Sequence, residues 1–221
     1  MTNEEILQHI DHTQLKAFAT WDDIVKLCEE ALRFHTASVC VPPAYIKRIK
    51  ETYGDKINIC TVIGFPLGYS VTAAKVKETE EALKEGAGEI DMVVNIIDVK
   101  NGLFDKVEEE IRAVKNACGS HILKVIIETC YLTEEEKIAM CKAVTEAGAE
   151  YIKTSTGFGT GGATLADVEL FKKYIGPGVK IKAAGGVKTR EDLEMFLHAG
   201  CDRIGTSSAV GILTGAGADS Y

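Results

Sequence analysis

The chain has 221 residues, 46% of them apolar and 26% charged, with a formal net charge of −8, which suits a globular fold with a sizeable core. An acidic balance without a block of Lys or Arg argues against nucleic acid as a partner, because phosphate backbones are bound by clustered basic residues. No apolar run is long enough to span a bilayer.

The start, Met1-Thr2-Asn3-Glu4-Glu5, is acidic and lacks the basic-then-apolar layout of a secretory leader. The seven cysteines (Cys28, Cys40, Cys60, Cys118, Cys130, Cys141 and Cys201) contain no C-x-x-C pair. A cytoplasmic protein with reduced thiols is expected, not a disulfide framework or a zinc site.

Apolar runs of strand length alternate with amphipathic runs of helix length. After an opening segment at 10–13, a helix should start at a Thr20 cap and bury Ile24, Val25, Leu27 and Leu32. A strand at 37–41 leads to Pro42-Pro43, which suits a helix start. A strand at 57–63 closes on Gly64-Phe65-Pro66-Leu67-Gly68. A charged helix follows from about 71 to 86, its Glu and Lys residues reading as a solvated face with i,i+4 pairs. The strand at 89–95 is followed by a helix through Val107, Ile111 and Val114, then by a strand at 122–128. Thr133 and Glu136 form a capping box for the next helix, which Gly148 should end. The last units are a strand from Tyr151 into Lys153, a helix near 164–174, a strand at 179–184, a helix near 189–199 and a strand at 202–205.

Gly86, Gly148 and Gly200 each stand where a helix hands over to a strand and needs a left-handed residue. Eight strands, each followed by a helical stretch, predict an α/β fold, a (β/α)8 TIM barrel. It should form a single domain over 1–221, with a flexible tail from about 214 to 221. An open doubly wound sheet is the alternative; against it, no G-x-G-x-x-G opens a helix near the N-terminus.

In a barrel, side chains at the C-terminal ends of the strands converge on one mouth. The polar residues that interrupt the strands are Asp11, Asp91, Asn95, Lys124, Glu128, Lys153 and Lys182. Burying them is costly unless they meet and pair. Lys153 is the sharpest candidate. Burial and a second ammonium from Lys182 would lower its pKa and free an amine for attack on a carbonyl, with Asp91 balancing charge and passing protons. The competing reading is a set of interior ion pairs that merely neutralise one another. Gly185-Gly186 after the seventh strand, and 205–209 after the eighth, offer backbone N–H and hydroxyl donors where barrels commonly hold phosphate.

The segments 89–95, 151–158, 180–186 and 205–209, with Asp11-His12-Thr13 and 36–41 including Cys40, resemble the deoxyribose-phosphate aldolases, a class I aldolase family. The resemblance runs in order over essentially the whole chain. It implies reversible cleavage of 2-deoxy-D-ribose 5-phosphate into D-glyceraldehyde 3-phosphate and acetaldehyde, in deoxyribonucleotide catabolism, with no cofactor and no metal. Lys153 would form the Schiff base. Asp91 and Lys182 would exchange protons through a water, and Asp11 would hold Lys182. Gly185, Gly186, Ser207 and Ser208 would hold the phosphate, with Thr156 as a further substrate contact. Phe158 is a departure, since some members carry a lysine there that assists phosphate binding. A terminal tyrosine, here Tyr221, can fold into the mouth in that family and assist proton transfer.

Partners implied by the resemblance are small sugar phosphates and aldehydes, within a homo-oligomer, a dimer or tetramer. The five histidines show no metal-ligand spacing; His12 is either structural or lines the mouth. Cys40 reads as a core thiol, which the family parallel puts near the aldehyde. One rival reading uses the same lysine on another phosphorylated sugar or keto acid. Another is a phosphosugar-binding barrel without turnover.

Overall fold

The alternation of strand and helix is followed throughout a computed structural model that describes residues 1–215. In chain order the elements are α1 (Asn3–Leu7), β1 (Ile10–Thr13), α2 (Trp21–Phe34), β2 (Ser38–Val41), α3 (Ile46–Tyr53), β3 (Ile59–Ile63), α4 (Thr72–Glu85), β4 (Glu89–Val93), α5 (Ile96–Lys100), α6 (Phe104–Cys118), β5 (Ile122–Ile126), α7 (Glu134–Glu146), β6 (Tyr151–Lys153), α8 (Leu165–Tyr174), β7 (Lys180–Ala184), α9 (Arg190–Ala199), β8 (Arg203–Thr206) and α10 (Ala209–Thr214).

Each strand pairs in parallel with the next, and the ring closes because Asp11 of β1 lies opposite both Ser38 of β2 and Gly205 of β8. Closure removes the sheet edge and with it the open-sheet alternative. Local chemistry sets the boundaries. The Thr133 hydroxyl accepts the Glu136 N–H while the Glu136 carboxylate accepts the Thr133 N–H, a closed capping box. Gly86, Gly148 and Gly200 have φ of 116°, 77° and 105°, the left-handed turn that a side chain would resist.

The period-two pleat sorts each strand into two faces. Ile10, Val39, Ile59, Ile90, Leu123, Ile152, Ile181 and Ile204 point outward into the main apolar core beneath the helices. The residues between them point inward, and there the sequence turns polar. His12 belongs to the outer face: it is fully buried, with Nε2 2.8 Å from Glu30 Oε2 of α2, so it does not line the mouth.

Several expected bounds move. β4 stops at Val93, and Asn95 becomes the residue before α5, its N–H donating to Glu110 Oε2. β5 stops at Ile126, because Glu128 turns the chain with a positive φ of 52°. α4 is not solvated all round: beside its exposed Lys77–Glu81 pair it buries Lys75, which reaches Glu110 and the Val93 carbonyl. α10 runs to Thr214, into the expected tail; Tyr221 lies outside the described residues.

Candidate active site

Five of the seven polar residues expected to converge do meet inside the barrel. Asp91, in the middle of β4, is the hub. Its Oδ2 accepts from Lys153 Nζ at 2.8 Å and from Lys182 Nζ at 2.7 Å, and its Oδ1 from Lys124 Nζ at 2.9 Å. The register explains why. Asp91 is opposite Lys124, and Lys153 is opposite Lys182, so all four project into the same lumen. Asp11 forms ion pairs with Lys182 and with Arg203. Asn95 and Glu128 do not join the cluster; both lie beyond the ends of their strands.

Two members were not anticipated. Glu89 and Arg203 sit at the opposite ends of their strands from the mouth and pair with each other, Glu89 also with Lys124. Their signal was available: Glu89 is two residues before Asp91, hence on the same face of β4. Four cations (Lys124, Lys153, Lys182 and Arg203) thus face three carboxylates (Asp11, Glu89 and Asp91).

Burial would raise the pKa of Asp91, but the ammonium groups of Lys124, Lys153 and Lys182 outweigh it and hold the carboxyl well below the usual range. Burial likewise opposes the ionised form of Asp11, and Lys182, Lys124 and Arg203 overcome it. Burial would lower Lys182, yet Asp11 and Asp91 raise it above the ordinary lysine value. Asp91 and its neighbours do the same for Lys124. Asp11, Asp91, Lys124 and Lys182 are therefore ionised at neutral pH, and their charges are mutually dependent.

Lys153 is 3% exposed and lies at the edge of a cavity of about 690 Å³ that opens at the C-terminal ends of β1, β6, β7 and β8. Thr156, Phe158, Gly185, Gly186, Ser207 and Ser208 line the same cavity, so the expected phosphate contacts and the lysine share one space. Gly185 and Gly186 have φ of 79° and 77°, turning their backbone at the mouth as a side chain would resist. Phe158 is more than half exposed and meets the ring of Phe65 edge-on, centroids 5.2 Å apart. Lys16 and Lys188 also line the cavity.

Glu128, expected in the cluster, instead holds the loop after β6. It is 1% exposed, accepts the Thr156 N–H at 3.1 Å and accepts a short hydrogen bond from the Thr156 hydroxyl. A buried, non-glycine residue at positive φ persists only where its surroundings hold it, and here the grip on Thr156 fixes the loop directly after Lys153.

The fold and the site define a barrel enzyme with an amine-bearing cavity. The sequence profile of the DeoC/LacD family aldolases matches residues 6–217, and the chain belongs to that family. It is 71% identical to a deoxyribose-phosphate aldolase of Clostridium botulinum over the full length of both chains. It is 58% identical to one of Clostridioides difficile, covering 95% of this chain and 96% of that one. Among solved structures, the tetrameric deoxyribose phosphate aldolase of Aeropyrum pernix superposes with a TM-score of 0.90 at 30% identity, over 97% of this chain and 92% of that one. Among the described residues no helix is long and apolar enough to cross a membrane.

Proposed function

We propose that Lys153 is the Schiff-base amine of this enzyme, with Asp91 and Lys182 as its proton-transfer partners. The reaction is the reversible cleavage of 2-deoxy-D-ribose 5-phosphate into D-glyceraldehyde 3-phosphate and acetaldehyde, the activity that goes with its family and with relatives at up to 71% identity. The observation that carries the residue roles is one shared oxygen: Asp91 Oδ2 accepts from both Lys153 and Lys182. A proton leaving the Lys153 amine has an acceptor in contact, and that acceptor has a second ammonium in contact.

In the proposed sequence Lys153 attacks the aldehyde carbon of the ring-opened sugar, and loss of water gives an iminium. That cation accepts the electron pair of the breaking C–C bond. D-Glyceraldehyde 3-phosphate leaves, Asp91 and Lys182 supply a proton to the remaining enamine, and hydrolysis releases acetaldehyde. The turns at 184–188 and 205–208 hold the phosphate end, with Lys16 and Lys188 as cations on the cavity wall where Phe158 offers no charge. The odd number and scattered spacing of the seven cysteines, with no C-x-x-C pair, fit a reducing, cytoplasmic setting. A homo-oligomer, dimer or tetramer, fits the same reading, as the Aeropyrum pernix relative is tetrameric; so does a single aldolase domain over 1–221. The intact ion-paired cluster counts against a barrel that binds phosphosugar without turnover.

Borohydride reduction in the presence of 2-deoxyribose 5-phosphate, followed by peptide mass spectrometry, tests the assignment. The expected result is a reduced adduct on Lys153. An adduct on Lys182 would reverse the roles, and an unmodified protein that still binds the sugar would remove imine chemistry.

The phosphate end has its own test in Gly162. A Cβ there would lie 2.3 Å from the Gly185 carbonyl oxygen and 2.4 Å from its carbon, so the Gly185-Gly186 turn must move. Gly162→Ala is expected to raise KM for the phosphorylated substrate by roughly 10–10²-fold, with a smaller change toward unphosphorylated 2-deoxyribose. Equal losses on both sugars in steady-state assays would place the phosphate elsewhere.

A further inference from the structure

We propose that Cys40 and Cys60 form a redox-modifiable dithiol beneath the active site, which two-electron oxidants such as peroxide close to a disulfide and so switch the enzyme off. The two residues are direct cross-strand partners in the β2–β3 ladder. Neighbouring strands run about 4.8 Å apart, inside the Cα spacing of about 4.4–6.8 Å that a disulfide bridges. Both side chains point into the barrel. Their sulfurs and a carboxylate oxygen of Asp91 all lie within 4.8 Å of one another.

The pair occupies a small apolar cluster with Val62, Leu15 and Phe65, separate from the main core. Leu15 also lines the substrate cavity, so the thiols lie just under a wall that small molecules reach. Cys60 donates to Asp91 Oδ1 at 3.2 Å and accepts from Lys124 at 3.3 Å.

The two thiols are electronically unlike. The adjoining Cys60 side chain lowers the Cys40 pKa against the opposing effects of burial and the Asp91 charge, and the nearby Lys182 and Lys153 charges add to the lowering. Burial and the Asp91 charge push Cys60 well above the usual thiol value. Both sulfurs are fully buried, so peroxide must reach them past Leu15; there the thiolate-prone sulfur beside a protonated partner is the one that reacts. Cys28, Cys118, Cys141 and Cys201 are all pushed up to about 12 by burial, which leaves them inert by comparison.

In the step, the Cys40 thiolate attacks peroxide, forming a sulfenic acid and releasing hydroxide, which takes up a proton to become water. The Cys60 sulfur then attacks the sulfenic sulfur and a second water leaves, its protons coming from the Cys60 thiol and the sulfenic hydroxyl. Two thiols and one peroxide become one disulfide and two waters. Bond formation draws Cys60 away from Asp91 and Lys124 and disturbs the carboxylate that holds Lys153. The effect on turnover rests on the aldolase reading above; disulfide formation does not.

The test treats the reduced, desalted full-length enzyme with hydrogen peroxide, then measures the cleavage rate, intact mass and tryptic map after alkylation. The expected result is a mass lower by two hydrogens, a Cys40–Cys60 cross-linked peptide, and a rate loss of about 10²-fold that dithiothreitol reverses. Cys60→Ala and Cys40→Ala, each normalised to its own untreated rate, should show no dithiothreitol-reversible loss. Half-buried Cys130 serves as the control thiol. A disulfide mapped elsewhere, a reversible loss that persists in Cys60→Ala, or a Cys40–Cys60 bridge formed at full activity would each overturn the proposal. The wild-type mass map decides the bridge even where a variant folds poorly.

Discussion

Lys153→Met is expected to lower the cleavage rate by about 10⁴-fold or more while leaving the protein folded. Methionine keeps most of the length and volume of lysine but has no amine to form an imine, so the covalent route closes. The charge balance explains why the fold should tolerate the change. Four cations face three carboxylates in the lumen, and Lys153 is the cation nearest the cavity. Its removal leaves three against three, with Asp91 still held by Lys124 and Lys182. The melting temperature should therefore stay near that of the parent or rise. The measurement is a coupled assay for glyceraldehyde 3-phosphate beside a circular dichroism melt. A variant that keeps a tenth of the parental rate would exclude Lys153 as the amine, and one that has unfolded would exclude this account of the charges.

The barrel was legible because its signals are local. Gly86, Gly148 and Gly200 punctuate the helix ends in sequence and carry the positive φ that their positions require. The Thr133–Glu136 box announces its helix in the same way. Closure of β1 on β8 is a contact between residues nearly two hundred positions apart, and only the count of eight strands pointed to it.

The site was legible to the extent that charge interrupts apolar runs. Asp91, Lys124, Lys153 and Lys182 stand inside hydrophobic stretches, and that contrast marked them. Glu89 and Arg203 stand at strand starts, next to turns where charges are ordinary, so the contrast disappears although their face is the same. Asn95 and Glu128 failed in the opposite sense, because the apolar run continued after the strand had ended. Lys75 was lost within a helix rich in exposed Lys and Glu; its partner Glu110 comes from α6, and no local pattern links the two. Glu128 could be valued only once its grip on Thr156 was visible.

Asp91→Asn tests the hub, and here activity and stability should fall together. The side chain keeps its shape, but the charge that balances three ammonium groups is gone, leaving four cations against two carboxylates. Breaking a buried ion pair from one side costs about 3–5 kcal/mol, which for a chain of this size lowers the melting temperature on the order of 10 °C. The pH dependence has a defined sign. The Asp91 pKa is lower in the folded protein than in the unfolded chain, so its contribution is complete above about pH 4 and fades as pH falls through the depressed value. The stability gap between parent and variant should then be full at pH 7 and shrink in strong acid. Well below the melting point, kcat should fall by about 10²–10⁴-fold, because the amine and Lys182 lose the oxygen through which they exchange protons. A folded Asp91→Asn enzyme with near-parental kcat would remove Asp91 from proton transfer. An unchanged melting temperature at pH 7 would mean that the ammonium groups find another counter-charge, which would contradict the lumen charge count.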